Sequence, residues 1–284
     1  MNLDDYDKTE RFKATVVSST RITSDDADAE IREIVLEVER EDFDYSPGQS
    51  IGVLIPGPHE FGHDFHFRLY SVADTASEGG KPRITIAVRR CEYIDEFSGE
   101  RYDGIASNYI CDRKAGDTLE ITGPYGYAFE LPENNDANLI LIGAGTGIAP
   151  FRAFVKHIYK DVGGWQGKVR LFYGAQTGLE LAYMNDHRDD FTQYYDEETF
   201  EAFKAVSPRP NWADPIAWDY CLEERSAEIL DMLNDPNTYV YIAGLSNVRE
   251  DLDKVFADMT GSADRWQRRR AELVAGGRWT ELLY

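Results

Sequence analysis

Leu139-Ile140-Leu141-Ile142-Gly143-Ala144-Gly145-Thr146-Gly147-Ile148-Ala149-Pro150-Phe151-Arg152 joins an apolar run to a glycine-rich turn and a helical pattern. The short, uniformly apolar run reads as a strand buried on both faces, and the residues after the glycines read as the opening of a helix. Glycine lets the backbone turn sharply beside an anion, and the N–H groups of a first helical turn point at it. Pro150 loses nothing where no N–H is required. The stretch is a phosphate-binding strand, turn and helix. Its spacing, GxGxG followed by Ile148, differs from the GxGxxG dinucleotide fingerprint, so the neighbours must specify the ligand.

Toward the carboxyl terminus, apolar strands at 139–142, 169–173, 203–206 and 239–243 alternate with helical patterns after Pro150, near Leu181, near Glu223 and near Val248. That alternation predicts a parallel, doubly wound sheet whose ligand lies outside the carboxyl ends of the strands. The second strand runs into Gly174-Ala175-Gln176-Thr177, which offers no carboxylate to a ribose 2′-hydroxyl. The third runs into Ser207-Pro208-Arg209, a hydroxyl and a guanidinium suited to charge-assisted hydrogen bonds with a 2′-phosphate. The fourth ends at a second glycine turn, Ala243-Gly244-Leu245-Ser246-Asn247. Together these ends favour NADP over NAD. The irregular stretch from Ser207 to Trp218 has a length that often serves a ligand.

Toward the amino terminus the periodicity changes near Leu131-Pro132-Glu133-Asn134-Asn135-Asp136, which places a domain boundary between 1–134 and 135–284. A chain of 284 residues can bury two cores. Six β-rich runs precede the boundary, at 12–18, 31–38, 50–55, 67–72, 83–90 and 118–122, and suggest a small antiparallel barrel. One of them carries Arg68-Leu69-Tyr70-Ser71. Strand alternation puts Arg68 and Tyr70 on one face, the guanidinium toward a pyrophosphate and the phenol against an aromatic ring, with Ser71 beside that ring. Further on, Ser107 of Gly104-Ile105-Ala106-Ser107-Asn108-Tyr109 is expected to cap a short helix whose N–H groups meet the same pyrophosphate. Together the two segments suit a flavin; taken alone, Arg68 equally suits a surface ion pair, Tyr70 a half-buried strand position and Ser107 a plain helix cap.

Composition sets outer bounds. With 52 acidic and 30 basic residues the net charge is −22, spread along the chain, which disfavours nucleic acid and anionic membrane as partners of the whole surface. A high-salt habitat would give the same balance. Cys91, Cys111 and Cys221 lie far apart, excluding a disulfide framework and a four-thiolate iron–sulfur cluster, so any metal centre sits on a partner. The five histidines show no ligand pairing. A polar, acidic amino terminus and no apolar run of spanning length lead to the expectation of a soluble, cytoplasmic protein.

Pro47 to Val53, Arg68 to Ser71, Gly104 to Asp112, Gly123-Pro124-Tyr125-Gly126, Gly143 to Arg152 and Tyr239 to Leu245, read in that order, resemble the plant-type ferredoxin-NADP reductase family. The resemblance implies an antiparallel FAD-binding β-barrel followed by a parallel doubly wound NADP-binding α/β domain, with FAD and NADP(H) as cofactors. It implies FAD contacts at Arg68, Leu69, Tyr70 and Ser71, with Tyr93 on the adenine and Gly104, Ile105, Ala106 and Ser107 at the pyrophosphate. Gly145 joins the cofactor contacts, and Thr146 would sit where flavin and nicotinamide meet. Ala87 and Arg89 join the cofactor contacts, as do Ala175, Gln176, Ser207, Arg209, Gly244 and Leu245, with Tyr220 stacked on the NADP adenine. Ser71 would align hydride transfer at the flavin N5, and Tyr284 would cover the other flavin face until the nicotinamide displaces it.

Four positions depart from the family pattern. Ala243 stands in place of a cysteine and Leu282 in place of a carboxylate, for which the adjacent Glu281 is a candidate substitute. Trp218 replaces a lysine near the 2′-phosphate, and Pro208 offsets Arg209. The implied partner is an acidic one-electron carrier, a ferredoxin or flavodoxin. Two basic groups are candidates for its docking face: Arg89-Arg90, and the favoured set of Arg265, Arg268, Arg269, Arg270 and Arg278. Alternatives are the reductase component of a multicomponent oxygenase, and a regulatory flavin- or nucleotide-binding module whose hydride site is weakened at Ala243 and Leu282.

Overall fold

The computed structural model describes residues 3–59, 63–75, 80–126, 129–196, 198–212 and 214–284. Strands β1 (Phe12–Arg21), β2 (Ile31–Val38), β3 (Ser50–Pro56), β4 (Phe65–Ser71) and β5 (Arg83–Arg89) are followed by a hairpin of β6 (Glu92–Ile94) and β7 (Arg101–Asp103). Helix α1 (Ile105–Cys111) and strand β8 (Thr118–Tyr125) complete this half. Six of the strands form an antiparallel sheet in the order β4-β3-β8-β1-β2-β5. Val72, just past β4, pairs with Ile86 of β5, so the two edges of the sheet meet and close it as a barrel. Bulges in β1 between Val16 and Ser18, and in the pairing of β3 with β8 between Ser50 and Gly52, supply local twist for that closure. Ile34, Leu36, Val53, Ile84, Ile86 and Ile121 fill its interior.

The second half begins with β9 (Asn138–Ala144), α2 (Ile148–Lys156) and β10 (Val169–Ala175). There follow a small hairpin of β11 (Met184–Asn185) and β12 (Arg188–Asp189), then β13 (Phe200–Val206), α3 (Trp218–Glu223) and α4 (Ser226–Asn234). The chain ends with β14 (Thr238–Gly244), α5 (Asn247–Thr260), α6 (Ala263–Ala275) and β15 (Trp279–Leu283). The five long strands form a parallel sheet in the order β13-β10-β9-β14-β15. Chain order reverses between β9 and β14, so their carboxyl ends, carrying the two glycine turns, flank the switch point where such sheets bind ligands. One face packs against α2 and against Ile22, Ile31, Ala73 and Ala87 of the barrel. The other is covered by residues of α3, α4, α5 and α6.

The helix expected near Leu181 is not formed. A 3-10 turn (Gly178–Glu180), the β11–β12 hairpin and a second 3-10 turn (Thr192–Tyr194) make the crossover from β10 to β13. Leu181, Ala182, Tyr183 and Met184 are consecutive and all buried, which no single helix face could achieve. Asn185 fixes the alternative: its Oδ1 accepts the N–H groups of His187 and Arg188, and its Nδ2 donates to Leu181 O and, across to the barrel, to Ile22 O. No helix among the described residues is long and apolar enough to cross a membrane.

Candidate functional site

At the end of β9 the chain passes through a 3-10 turn, Gly145–Gly147, into α2. Its two glycines serve different ends. Gly145 has φ +56°, and a Cβ there would meet nothing within 4 Å, so this residue borders an open cleft. Gly147 lies against β14, where a Cβ would stand 2.2 Å from Ala243 O. Below the turn, buried Tyr173 donates its hydroxyl to Gly145 O (3.0 Å) and accepts the Ala182 N–H (3.0 Å), and burial pushes its phenol pKa up. Sequence reading missed Tyr173, although a tyrosine in an otherwise apolar strand just before Gly174 is a visible signal.

Strand β15 delivers the carboxyl terminus to the same place. Tyr284 N donates to Gly244 O and Ser246 N to Tyr284 O, both at 3.1 Å, and the Tyr284 hydroxyl lies 2.5 Å from Thr146 Oγ1. Tyr284, Thr146 and Gly244 are thus brought together across the switch point. Glu281 is not among them. Strand alternation puts Leu282 on the face of Tyr241 and Ala243, and Glu281 on the opposite face, toward α5 and α6. There Glu281 accepts from Trp279 Nε1 (2.6 Å), Arg270 Nη2 (2.8 Å) and Arg249. Burial alone would raise its carboxyl pKa, but these donors hold it below the usual range. The candidacy of Glu281 as a catalytic substitute for Leu282 is therefore corrected.

On the barrel, Arg68 is exposed and donates to Phe67 O of its own strand, at 2.8 Å. Tyr70 is half-buried against the barrel core, and burial pushes its phenol pKa up. Leu69 is half-buried beside it, and Ser71 pairs with Ser50, their hydroxyls 3.4 Å apart. Ser107 is the third residue of α1 and not its cap, which is Gly104 in extended conformation. The Ser107 hydroxyl accepts from Cys91 N (3.1 Å), and Asn108 Nδ2 donates to Cys91 O (2.8 Å) and Gly104 O (2.9 Å). These side chains fasten the helix start to the segment after β5. The N–H groups of Ile105, Ala106 and Ser107 precede the first helical bond, Asn108 N to Gly104 O, as in any helix.

The Tyr93 and Tyr102 rings stack on the exposed β6–β7 hairpin, with centroids 5.6 Å apart. Arg89 is exposed at the end of β5. Ala87, expected beside a cofactor, instead has its methyl group buried in the core shared by barrel and parallel sheet.

At the far end of the parallel sheet, Ser207 N donates to Gln176 O (3.2 Å), joining the ends of β13 and β10 beside Ala175. Ser207 Oγ donates to Asp214 O (2.9 Å), and Arg209 Nε to the Asp214 carboxylate (2.8 Å). Asp214, inside the irregular loop, was not legible as a partner. Tyr220 on α3 and Leu245 after β14 are exposed. Trp218 is buried in the core with Phe172 and Ala205, its ring against Gly174.

The expected docking cluster, on α6 and at Arg278 beyond it, is partly tied up internally. Arg269 donates to Leu233 O and Glu272, Arg270 to Asp253 and Glu281, and Arg278 to Asp235 O. Of the five, Arg265 and Arg268 project into solvent. Arg90 is bound by Glu30, Asn108 and Asp112.

Residues 13–129 match the oxidoreductase FAD-binding domain family, and residues 141–254 the oxidoreductase NAD-binding domain family. The chain is 30% identical over 285 residues to a ferredoxin–NADP reductase of Picosynechococcus sp., covering 96% of this chain and 70% of that protein. It is 31% identical over 287 residues to the chloroplastic leaf isozyme 1 of ferredoxin–NADP reductase from Oryza sativa subsp. indica, covering 98% and 78%. The solved ferredoxin-NADP+ reductase from Plasmodium falciparum shares the fold, with a TM-score of 0.71 at 21% identity over 100% of this chain and 99% of that one. A barrel closed on itself, a parallel sheet reversed at two glycine turns and an aromatic terminus laid across them agree with those matches: the chain belongs to the ferredoxin-NADP reductase family.

Proposed function

We propose that the protein is an FAD-dependent reductase that moves electrons between NADPH and a one-electron carrier of the ferredoxin or flavodoxin type. The observation that carries this reading is the terminal Tyr284 held by hydrogen bonds over both glycine turns of the parallel sheet. The division near residue 134 then separates a flavin half from a nucleotide half, and the protein works in the cytoplasm.

The residues present fit both cofactors. Gly145 borders open space where any side chain would intrude, and Arg68 with the start of α1 forms a donor set for a pyrophosphate. Tyr93, backed by Tyr102, offers an exposed ring to an adenine. FAD supplies the chemistry, exchanging a hydride with the nicotinamide and single electrons with the carrier. The chain supplies position. Tyr70 and Ser71 would hold the flavin, Thr146 and Tyr284 would border the nicotinamide, and Arg89, Gly244 and Leu245 would line its approach. Ala175, Gln176, Ser207, Arg209 and Tyr220 receive the adenosine end, and no acid–base group with a perturbed pKa is needed.

The test is anaerobic bleaching of the yellow protein. NADPH is expected to bleach it faster than NADH, and the reduced protein to reduce cytochrome c when a ferredoxin is supplied. Stable colour with either nucleotide would favour the regulatory module, and cytochrome c reduction that requires a dedicated oxygenase component would favour the oxygenase reductase.

Arg209→Ala is expected to raise the KM for NADPH about tenfold, the loss of one charge-assisted hydrogen bond, and to leave that for NADH unchanged. Asp214→Asn releases Arg209 from its competing carboxylate and is expected to lower the NADPH KM. Steady-state kinetics with both nucleotides decide it; equal effects on NADPH and NADH would remove Arg209 from the 2′-phosphate site.

A further inference from the structure

A closed network of three cations and three carboxylates joins the barrel to the parallel sheet, and Arg152 is its hub. Arg152, on α2, is 6% exposed. Its Nη1 donates to Ala73 O (2.6 Å) and Asp74 Oδ2 (3.0 Å), and its Nε to Asp190 Oδ2 (2.6 Å). Lys156, one turn further along α2, pairs with Asp74 as well. From the β11–β12 hairpin, Arg188 makes a two-pronged contact with Glu33 of β2, each prong 3.0 Å, and also binds Asp190. Both guanidiniums lie over the Tyr183 ring, Arg152 at 4.6 Å and Arg188 at 4.9 Å from its centroid. Burial would raise the carboxyl pKa values of Asp74 and Asp190, but the neighbouring cations hold both below the usual range.

The chain positions give the network a use. Ala73 lies two residues after Ser71, at the end of the strand proposed to fix the flavin. Arg152 lies five residues after Gly147, on the helix that starts at the nucleotide turn. We infer that Arg152 is a positioning residue for hydride transfer: by tying the end of the flavin strand to the nucleotide helix, it sets the separation between the two cofactor sites. This rests on the function proposed above.

A buried, charge-assisted contact is short and stiff, and both segments it joins run directly into the site. Misplacing reacting groups by about 1 Å slows transfer on the order of a hundredfold, so a small loosening is measurable. Apolar packing alone would hold the halves together but would permit sliding. The fork of an arginine bonded to a carbonyl and two carboxylates does not.

The experiment is anaerobic stopped-flow bleaching by NADPH, and by NADPH deuterated at the transferred position, for the wild-type protein, Arg152→Lys and Arg188→Lys. Flavin content and thermal midpoint are measured on the same samples. Arg152→Lys is expected to keep its flavin and to keep half-saturation by NADPH within about twofold, while its limiting bleaching rate falls about tenfold and the deuterium isotope effect rises. Arg188→Lys leaves the Ala73 bond in place and is expected to slow the rate by a smaller factor, about threefold. A lowered midpoint with unchanged limiting rate and isotope effect would make Arg152 purely structural and overturn the inference. Should Arg152→Lys fail to fold, an unchanged rate in Arg188→Lys overturns it equally. A wild-type protein that NADPH does not bleach would instead sink the proposed function, and this inference with it.

Discussion

Gly147→Ala is expected to lose the nucleotide site together with much of the stability of the parallel sheet. A Cβ at this position would stand 2.2 Å from Ala243 O and 2.5 Å from its carbonyl carbon, both backbone atoms of a central strand. No rotamer change relieves such a clash, because the offending atom is fixed to the chain and its neighbour is held in the sheet by β9 and β15. Relief requires α2 to move away from β14. Overpacking of this kind costs about 3 kcal/mol or more, which lowers the thermal midpoint by roughly 6–12 °C in a protein of this size. Gly145→Ala is the control: it faces open space and strains only the backbone at φ +56°, costing roughly 1–2 kcal/mol. Thermal unfolding of the two variants checks the order, and equal midpoints would show that α2 does not pack on β14 as described.

Legibility followed the range of the interactions. The β9 turn and α2 were readable because a buried strand, glycines and a helix start are local signals, and the parallel, doubly wound sheet followed from alternation of strands and helices, although neither its strand order nor the terminal strand β15 was read. The crossover at 178–191 was not readable, because what it packs on is the barrel: Asn185 answers to Ile22 and Arg188 to Glu33, each more than a hundred residues earlier. Helical spacing says nothing about such a partner. Ser107 was placed one turn too early for a similar reason, since a serine near a helix start suits a cap or an inward tie, and only the position of Cys91 selects the tie.

Glu281 shows a different limit. The sequence puts it one residue from Leu282, but one residue along a strand is the other face of the sheet, and there three donors from Arg249, Arg270 and Trp279 were waiting. The arginines between Arg265 and Arg278 show the same limit. Counted along the sequence they form a basic cluster, yet Arg269, Arg270 and Arg278 are consumed by carbonyls and carboxylates of their own half. Of the five, Arg265 and Arg268 alone are exposed, so the run overstates the positive charge that this face presents. Arg68, Arg89 and Arg209 are exposed, Arg68 donating to a carbonyl of its own strand and Arg209 to the Asp214 carboxylate.

Tyr284→Ser is expected to tighten NADP+ binding roughly ten- to thirtyfold, since about 1.4–2 kcal/mol now spent on displacing the terminal ring would be saved. On the proposed reading the ring occupies the place the nicotinamide must enter, and its hydroxyl is 2.5 Å from Thr146 Oγ1. The state competent to bind is the minor one in which that bond is broken and the ring withdrawn, so measured affinity is the intrinsic affinity reduced by the population of that state. The ring is 57% exposed, which keeps its packing contribution modest and the total near that of one neutral hydrogen bond plus partial burial. Tyr284→Phe separates the two: it keeps the ring and removes the bond, and is expected to give about fivefold. Combining it with Thr146→Val should add nothing further through this contact, because the partner is already gone. Titration of the bound flavin's absorbance with NADP+ reads all four proteins. Unchanged or weaker binding by Tyr284→Ser would mean that the ring forms part of the nucleotide site and does not close it.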